Sequence, residues 1–217
     1  LRMVLPQKAL PHLTVAQVKY NQLVDKGHEL LVIATPRETI YALTQQVEDI
    51  DWYSRRDFQR PARDPSVGML PPKLAQIIIN CAGSGPIYDP FCGTGVILQE
   101  ALLMGREAAG SDIENRMVEA TLTNLNWLSQ EQELEASFQV FRADARTVSL
   151  PAGHAVASEG YLGPNLATLP DKQRLKRMMT ESDSLYCQVL KNFNGQQKPG
   201  QRLCLAVPAW SKSPHDY

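Results

Sequence analysis

The 217-residue sequence lacks the cysteine and histidine spacings that are typical of metal and disulfide sites. Its four cysteines contain no C-x-x-C pair and its four histidines are dispersed, which argues against a zinc ribbon and a disulfide framework and fits a reducing compartment. No apolar run approaches the roughly 18–20 residues that a membrane-spanning helix needs, and no signal peptide is recognisable. We therefore expect a cytoplasmic protein with no metal and no membrane partner, and we leave its oligomeric state open.

The sequence also lacks an excess of charge of either sign. The formal net charge is −1, so no overall positive field attracts nucleic acid, and a polyanionic partner must contact local basic patches. Two clusters are candidates for phosphate contacts, with a solvated surface as the alternative for each. The first comprises Arg55, Arg56, Arg60 and Arg63, and the second comprises Lys172, Arg174, Lys176 and Arg177. The aromatic residues within the first cluster either stack on bases or pack locally; they are Trp52, Tyr53 and Phe58.

The beginning of the chain has a different pattern from the rest. It predicts one helix, capped by Thr14, and two strands around the turn "TPRE". In chain order these elements are residues 14–25, 29–34 and 39–47.

A proline-, arginine- and aspartate-rich segment follows and predicts a linker. It divides the chain into an N-terminal region over residues 1–48, a linker over 49–72 and a second domain over 73–217. The chain starts at Leu1 rather than at Met and ends in the polar stretch "SKSPHDY", which suggests a fragment of a longer protein.

After the linker, helical and extended patterns alternate. Helices are predicted over residues 71–83, 95–105, 115–130 and 182–193, and strands over residues 86–90, 107–113, 138–144, 154–159 and 201–210. Strands that alternate with helices indicate crossover units and a parallel sheet. We therefore predict an α/β fold with a doubly wound sheet, whose ligands bind at the carboxyl ends of the strands. Both basic clusters are expected to flank that cleft.

The stretch "YDPFCGTGVILQEALLMG" carries the strongest functional signal. A predicted strand ends at Asp89, Gly93 and Gly95 make a turn, and a helix follows. Glycines at such a turn let the backbone approach a ligand closely. Asp112 lies at the end of the next strand, where an acid accepts hydrogen bonds from ribose hydroxyls.

Two features oppose a dinucleotide such as NAD. Leu98 replaces the third glycine of the G-x-G-x-x-G pattern, and the carboxylate of Asp89 would repel a pyrophosphate. The same carboxylate suits the cationic amine and sulfonium of S-adenosylmethionine (SAM). Asp144, at the end of the third strand, could accept a hydrogen bond from the adenine amino group.

The stretch "DPFCGTG", preceded by "GMLPPKLAQ" and followed by "GSDIENRMVEATLTNL", resembles the THUMP-domain-associated RNA methyltransferases. Within them, it is most similar to the archaeal and eukaryotic tRNA guanosine-N2 methyltransferases. The resemblance runs from about residue 49 to residue 210, and residues 14–48 resemble the end of the family's RNA-binding domain. It implies a Rossmann-like class I methyltransferase fold with SAM as the methyl donor.

The resemblance also implies roles for individual residues. The glycine loop would line the methionine part of SAM, Asp112 would hold the ribose, Asp144 the adenine, and the "PPK" helix start would close over the methionine end. The full set of implied cofactor-binding residues is Pro72, Lys73, Asp89, Phe91, Cys92, Gly93, Thr94, Gly95, Asp112, Ile113, Asp144 and Ala145. For Lys73 a solvated lysine at a helix start is the alternative. Cys92 is interpreted as a packing residue rather than a nucleophile, because it lies in the cofactor loop.

The stretch "HAVASEGYLGP" stands where the family has D/N-P-P-Y, a motif that accepts the hydrogens of an exocyclic amino group and stacks the base on its aromatic ring. In this chain Ser158 takes the place of the acid, Tyr161 keeps the stacking position, and both prolines are absent. Three alternatives remain open. Glu159 accepts from the amino group, or Ser158 and a backbone carbonyl suffice with Glu159 tuning them, or the site has lost its chemistry. The purely structural alternative is that Glu159 only caps a turn.

The sequence therefore predicts a SAM-dependent methyltransferase that acts on an exocyclic amino group, with guanine N2 in tRNA as the expected target. The base must leave its stack to reach such a pocket. One alternative is a DNA methyltransferase acting on adenine N6 or cytosine N4. Another is a silent SAM- or RNA-binding protein. Class I sheets normally have two further strands, so we expect a sheet truncated after the strand ending at Trp210.

Overall fold

The structure is a computed structural model, which describes residues 3–7, 10–64, 69–134, 137–164, 166 and 170–209. Its contacts divide the chain into two compact units, Leu1–Phe58 and Gln59–Tyr217.

The first unit contains two helices and a β-hairpin. In chain order they are α1 (Val15–Tyr20), β1 (Leu30–Ala34), β2 (Thr39–Leu43) and α2 (Ile50–Phe58). Thr14 caps α1 as predicted, and its hydroxyl accepts a hydrogen bond from the backbone N–H of Gln17. The helix ends earlier than predicted because the Asn21 side chain donates to the Gln17 carbonyl and Gln22 has a φ of 55°.

Helix α2 corrects the prediction of a linker that starts at residue 49. Residues 50–58 contain neither proline nor glycine, and the breakers that made the whole segment look irregular begin only at Pro61. Asp49 supports the start of α2, since its carboxylate accepts from the Trp52 N–H and pairs with Lys19 at 2.7 Å.

The second unit is an α/β domain with a five-stranded sheet. Its elements are α3 (Pro72–Cys81), β3 (Ile87–Asp89), α4 (Val96–Leu103), β4 (Ala108–Asp112), α5 (Asn115–Gln132), β5 (Phe138–Arg142), β6 (Ala155–Glu159), α6 (Lys172–Asn194) and β7 (Leu203–Ala206). All neighbouring strands are parallel, in the order β5-β4-β3-β6-β7. The predicted doubly wound sheet is therefore confirmed, and the predicted last strand ends at Ala206, while Trp210 lies outside the described residues.

The core of this domain forms around the central strands. Tyr88 of β3, Val156 of β6 and Phe193 of α6 are fully buried and belong to one cluster. The strand order reverses at β3, which lies between β4 and β6. In open α/β sheets, ligands bind at the carboxyl ends of the strands beside such a reversal.

Among the described residues, none of the helices combines the length and the apolar character needed to cross a lipid bilayer.

Candidate functional site

A cavity of about 570 Å³ opens at the carboxyl ends of β3, β4, β5 and β6. Its volume is in the range of small-molecule sites. It contains nine of the twelve predicted cofactor residues, namely Asp89, Phe91, Cys92, Gly93, Thr94, Asp112, Ile113, Asp144 and Ala145. Two of the three predicted base-site residues, Glu159 and Tyr161, also line it. The structure therefore brings most of both predicted sets into one cavity.

Helix α5 holds the glycine loop in place. Gly95, the residue before α4, has a φ of 88°, a left-handed conformation that side chains other than glycine rarely adopt. The Thr121 hydroxyl donates to the Gly93 carbonyl at 2.7 Å, and the Asn124 amide donates to the Thr94 carbonyl at 2.8 Å. These two bonds satisfy carbonyls of the turn and fix the glycine loop against α5.

Asn124 also connects the glycine loop to the chain before α3. Its side chain is fully buried, accepts from the Ala62 N–H at 2.9 Å and donates to the Ala62 carbonyl at 2.8 Å. Replacing Asn124 by Leu leaves the buried Thr94 carbonyl and two partly buried backbone groups of Ala62 without their side-chain partner, so we expect the free energy of unfolding to fall by about 3 kcal/mol. Urea unfolding measures this. The exposed neighbour Asn126→Leu is the matched control and is expected to change stability by no more than about 0.5 kcal/mol; equal losses in the two variants would contradict the role of Asn124.

Asp112 accepts two backbone hydrogen bonds at the edge of the cavity. The Gly93 N–H donates to Oδ2 at 3.1 Å, and the Glu114 N–H donates to Oδ1 at 3.0 Å. Burial raises the pKa of Asp112, and these N–H groups partly oppose that shift. Each oxygen keeps a lone pair, so the carboxylate can accept two further hydrogen bonds from a ligand.

Asp89 is the most deeply buried acid of the cavity, with 2% of its surface exposed. The Ser158 hydroxyl donates to its Oδ1 at 2.5 Å, and the Phe91 N–H donates to the same oxygen at 3.0 Å. Burial raises the pKa of Asp89 to about 7, although both hydrogen bonds act in the opposite direction. A nearby cation would therefore be needed to hold this carboxylate fully charged at neutral pH.

Ser158 and Glu159 face opposite sides because successive side chains of a strand alternate. Ser158 is fully buried, hydrogen-bonded to Asp89, and does not belong to the cavity lining. Glu159 is partly buried and lines the cavity, and burial raises its pKa. Of the two candidates for the acceptor position, the structure places only the Glu159 carboxylate at the cavity.

Asp144 lines the cavity together with an arginine that sequence reasoning missed. The Arg146 guanidinium contacts the Asp144 carboxylate at 2.5 Å and lowers the pKa of that acid. Arg116 also lines the cavity and pairs with Glu114 at 2.6 Å and with Asp64 at 2.5 Å. In the sequence, the only feature that could have identified Arg146 as a cavity residue is its position two residues after Asp144. No such feature identifies Arg116.

The start of α3 differs from the prediction. Neither Pro72 nor Lys73 belongs to the lining of the cavity, and Leu70 lines it instead. Pro72 is buried as the first residue of α3, while Lys73 is exposed. Gly95 is likewise absent from the lining, because it lies where the turn enters α4.

The first basic cluster is only partly on the surface. Arg56 and Arg60 are buried, which corrects their prediction as phosphate contacts, whereas Arg55 and Arg63 are exposed. The Arg56 guanidinium lies 3.8 Å from the centre of the Tyr53 ring, a cation–π contact that favours local packing of this aromatic residue.

The second cluster lies on the first turns of α6, which begins ten residues earlier than predicted. Asp171 caps this helix by accepting from the Arg174 N–H at 2.8 Å. All four basic residues are exposed, and none lines the cavity; they are Lys172, Arg174, Lys176 and Arg177.

Within the described residues, no three His, Cys, Asp or Glu side chains are grouped as metal ligands would be. Cys92 is buried, burial raises the pKa of its thiol far above the usual value, and its sulfur lies 3.7 Å from the Thr121 hydroxyl oxygen. These contacts agree with a packing role.

Comparison with known proteins identifies the class of this domain. The family model of the UPF0020 (RMKL-like) methyltransferase domain matches residues 55–212. The chain belongs to this family. The tRNA (guanine(10)-N2)-dimethyltransferase of Methanothermobacter thermautotrophicus is 35% identical over 157 residues, which are 70% of this chain and 42% of that protein. The protein of the same name from Methanocaldococcus jannaschii is 35% identical over 121 residues, or 48% of this chain and 34% of that protein. Among solved structures, TrmN from Thermus thermophilus has a TM-score of 0.48 and 19% identity, over 88% of this chain and 55% of that chain.

Membership of the UPF0020 family and the names of the two relatives confirm the predicted resemblance to RNA methyltransferases, whereas the THUMP part of that resemblance stays a prediction. Membership and the sheet order confirm the predicted class I fold. SAM is the methyl donor of this class of domain, as predicted. The chain spans less than half the length of the two tRNA methyltransferases.

Proposed function

We propose that this UPF0020 domain transfers a methyl group from SAM to an exocyclic amino group of a nucleobase, with guanine N2 in tRNA as the target. One observation carries the proposal. The carboxylate of Glu159 lines the same cavity as the glycine loop, whereas the Ser158 hydroxyl is turned away to Asp89. A pocket for a methyl donor thus has a hydrogen-bond acceptor for an amino group in its wall.

The residues of the cavity fit SAM. The free lone pairs of Asp112 can accept the two ribose hydroxyls, and buried Asp89 offers negative charge to the cationic amine. Asp144 and Ala145 line the part of the cavity beyond β5, where adenine would lie between Ile113 and the following loop. When bound, SAM supplies an electrophilic methyl group and leaves as a neutral thioether.

The Glu159 carboxylate favours guanine over the other amino-bearing bases. Guanine presents N1–H and the N2 amino group side by side, so two carboxylate oxygens can accept one hydrogen from each. In adenine and cytosine the ring nitrogen beside the amino group is an acceptor, which would repel the second oxygen. This difference favours guanine N2 over adenine N6 and cytosine N4 and counts against the DNA methyltransferase alternative.

Positioning accounts for most of the catalysis that these residues can provide. When Glu159 holds the N1 hydrogen and one N2 hydrogen, the base is fixed with N2 facing the methyl group. As the new N–C bond forms and the methyl–sulfur bond breaks, positive charge develops on N2; the adjacent carboxylate stabilises this charge and accepts the proton that leaves. Half-exposed Tyr161, which also lines the cavity, is placed to stack on the base.

Contacts to the rest of the RNA would come from exposed basic residues of both units. We assign the exposed basic residues of α6 to phosphate binding, together with exposed Arg55 and Arg63. The sequence resemblance of residues 14–48 supports an RNA-binding role for the N-terminal unit. The names of the two archaeal relatives support tRNA as the substrate.

Transfer of labelled methyl groups from SAM tests the proposal. We expect label on tRNA transcripts that contain guanosine and none on transcripts in which inosine, which lacks the N2 amino group, replaces it. Label on duplex or single-stranded DNA but not on RNA would favour the DNA methyltransferase. SAM binding without transfer to any nucleic acid would favour the silent binding protein.

SAM affinity is expected to depend on pH through Asp89, whose pKa is about 7. Binding a cation favours the ionised carboxylate, so affinity should be roughly five- to tenfold weaker at about pH 6 than at about pH 7.5.

The same raised pKa affects folding with the opposite sign: its contribution to stability is complete below the usual value of 3.8 and is lost as the pH rises through about 7.

Calorimetric titration over this pH range measures the effect. The control is Asp89→Asn, which can still accept the Ser158 hydroxyl but carries no charge; it should bind SAM weakly with a flat pH profile in this range. If the SAM affinity of Asp89→Asn depends on pH in the same way as that of the wild-type chain, Asp89 is not the titrating group.

A further inference from the structure

The segment Glu159–Tyr161 contains no proline. Proline restricts the backbone, so the residues assigned to the base do not have that constraint. The structure contains another constraint at this place. Tyr186 of α6 has its ring directly beneath Gly160 and its hydroxyl on the Tyr161 carbonyl.

A glycine is required at position 160 because there is no room for a side chain, and not because of the backbone conformation. Its φ is outside the left-handed region, so a residue with a side chain could adopt the same backbone. A Cβ at this position, however, would lie 2.4 Å from the Tyr186 hydroxyl oxygen and 2.8 Å from its ring. The glycine thus allows the ring of Tyr186 to contact the backbone of the segment.

The hydroxyl of Tyr186 adds a directed bond to this contact. It donates to the Tyr161 carbonyl at 2.8 Å. The side chain of Tyr186 is 7% exposed, and burial, together with the nearby charge of Glu159, raises its pKa to about 12. The group therefore remains a protonated donor at any physiological pH.

Tyr186 also contacts the cofactor side of the cavity. Its ring centre lies 6.3 Å from that of Phe91, with the planes tilted by 52°. Phe91 follows Asp89 in the glycine loop and lines the cavity. One side chain thus touches both the loop assigned to the methyl donor and the segment assigned to the base.

We propose that Tyr186 is a positioning residue that fixes the segment Glu159–Tyr161, which contains no proline, against the glycine loop. The proposal rests on the proposed function of Glu159 and Tyr161 in holding the base. It explains together the glycine at position 160 and the burial of a tyrosine behind it.

Hydrogen exchange on the full 217-residue chain tests the structural part of the proposal. In Tyr186→Phe the ring remains and the bond to the Tyr161 carbonyl is lost, so amides of residues 159–163 should exchange roughly fivefold faster or more. The matched control is Tyr88→Phe, which removes a buried hydroxyl bonded to Ser111 at 2.7 Å and should leave exchange in this segment unchanged. If the amides of residues 159–163 exchange at the wild-type rate in Tyr186→Phe, the proposal is overturned.

Steady-state methyl transfer to a guanosine-containing tRNA transcript tests the functional part. Tyr186→Phe should lower kcat roughly tenfold or more, with the KM for SAM unchanged. Gly160→Ala, which displaces the ring, should have the same effect, whereas Gly195→Ala, where an added Cβ has ordinary contacts of 3.7 Å and more, should not. Faster exchange with an unchanged kcat would overturn the positioning role. If the wild-type chain transfers no methyl group, the proposed function fails, and the exchange experiment still decides whether Tyr186 holds the segment.

Discussion

Replacing Glu159 by Gln is expected to reduce the rate of methyl transfer by about 100-fold or more, because two charge-assisted hydrogen bonds to the base are lost or weakened. The amide of Gln keeps one acceptor oxygen but presents an NH₂ group to the second donor of guanine. It also lacks the negative charge that stabilises the developing cation on N2. Steady-state kinetics with a guanosine-containing tRNA transcript measure this loss. The affinity for SAM, measured by calorimetry, should remain within about twofold of the wild-type value.

Ser158→Ala is the informative comparison for this variant. Because the Ser158 hydroxyl donates to Asp89, its removal should raise the pKa of that acid further and weaken SAM binding at neutral pH. The two adjacent substitutions should therefore affect different steps, Glu159→Gln the transfer and Ser158→Ala the binding of SAM. A large loss of transfer rate in Ser158→Ala, with little change in Glu159→Gln, would assign the acceptor role to the serine instead.

Replacing Asp112 by Ala should weaken SAM binding by about 100-fold or more. A carboxylate that accepts two ribose hydroxyls contributes about 1.5–3 kcal/mol for each bond, and the variant also frees the Gly93 N–H from its partner. Calorimetric titration of SAM and of S-adenosylhomocysteine measures the change. Both ligands share the ribose, so both should lose affinity by a similar factor.

The control for Asp112→Ala is Asp183→Asn, an exposed position on α6. It changes the charge of the chain without touching the cavity and should leave the SAM affinity unchanged. Circular dichroism and urea unfolding establish that Asp112→Ala is folded at the assay temperature. A folded Asp112→Ala chain that binds SAM with wild-type affinity would contradict the assignment of the ribose site.

The cofactor side of the cavity could be predicted from the sequence because its residues follow strand ends. Asp89, Asp112 and the glycines are marked by local patterns, and parallel strands bring their carboxyl ends to one edge of the sheet. The strand order observed around β3 then places these residues together. Local signals were sufficient for this part of the site.

The residues that support the site could not be predicted in the same way. Leu70, Arg116 and Tyr186 reach the cavity or its wall only through tertiary packing, and neither their residue type nor their spacing marks them as part of the site. The buried contacts of Asn124 join positions 62 residues apart in the chain. Such pairs depend on how helices pack on the sheet, which the sequence periodicity does not specify.

The orientation of Ser158 was accessible from the sequence in principle. Alternation along β6 puts Ser158 and Glu159 on opposite sides, so only one of them can face a ligand at the strand end. We aligned Ser158 with the acid of the family motif by its position in the chain. We did not consider which side of the strand each side chain faces. Helix α2 was missed for a different reason. The prediction of a linker used the composition of residues 49–72 as a whole, although the nine residues of α2 contain no helix breaker.

The identity of the methylated atom tests the proposed function most directly. We would incubate the wild-type chain with SAM and a tRNA transcript, digest the RNA to nucleosides and separate the products by chromatography with mass spectrometry. We expect N2-methylguanosine or N2,N2-dimethylguanosine, and neither of them in the Glu159→Gln reaction under the same conditions. A product methylated at adenine N6, at cytosine N4 or on a ring carbon would contradict the assignment of guanine N2 as the target.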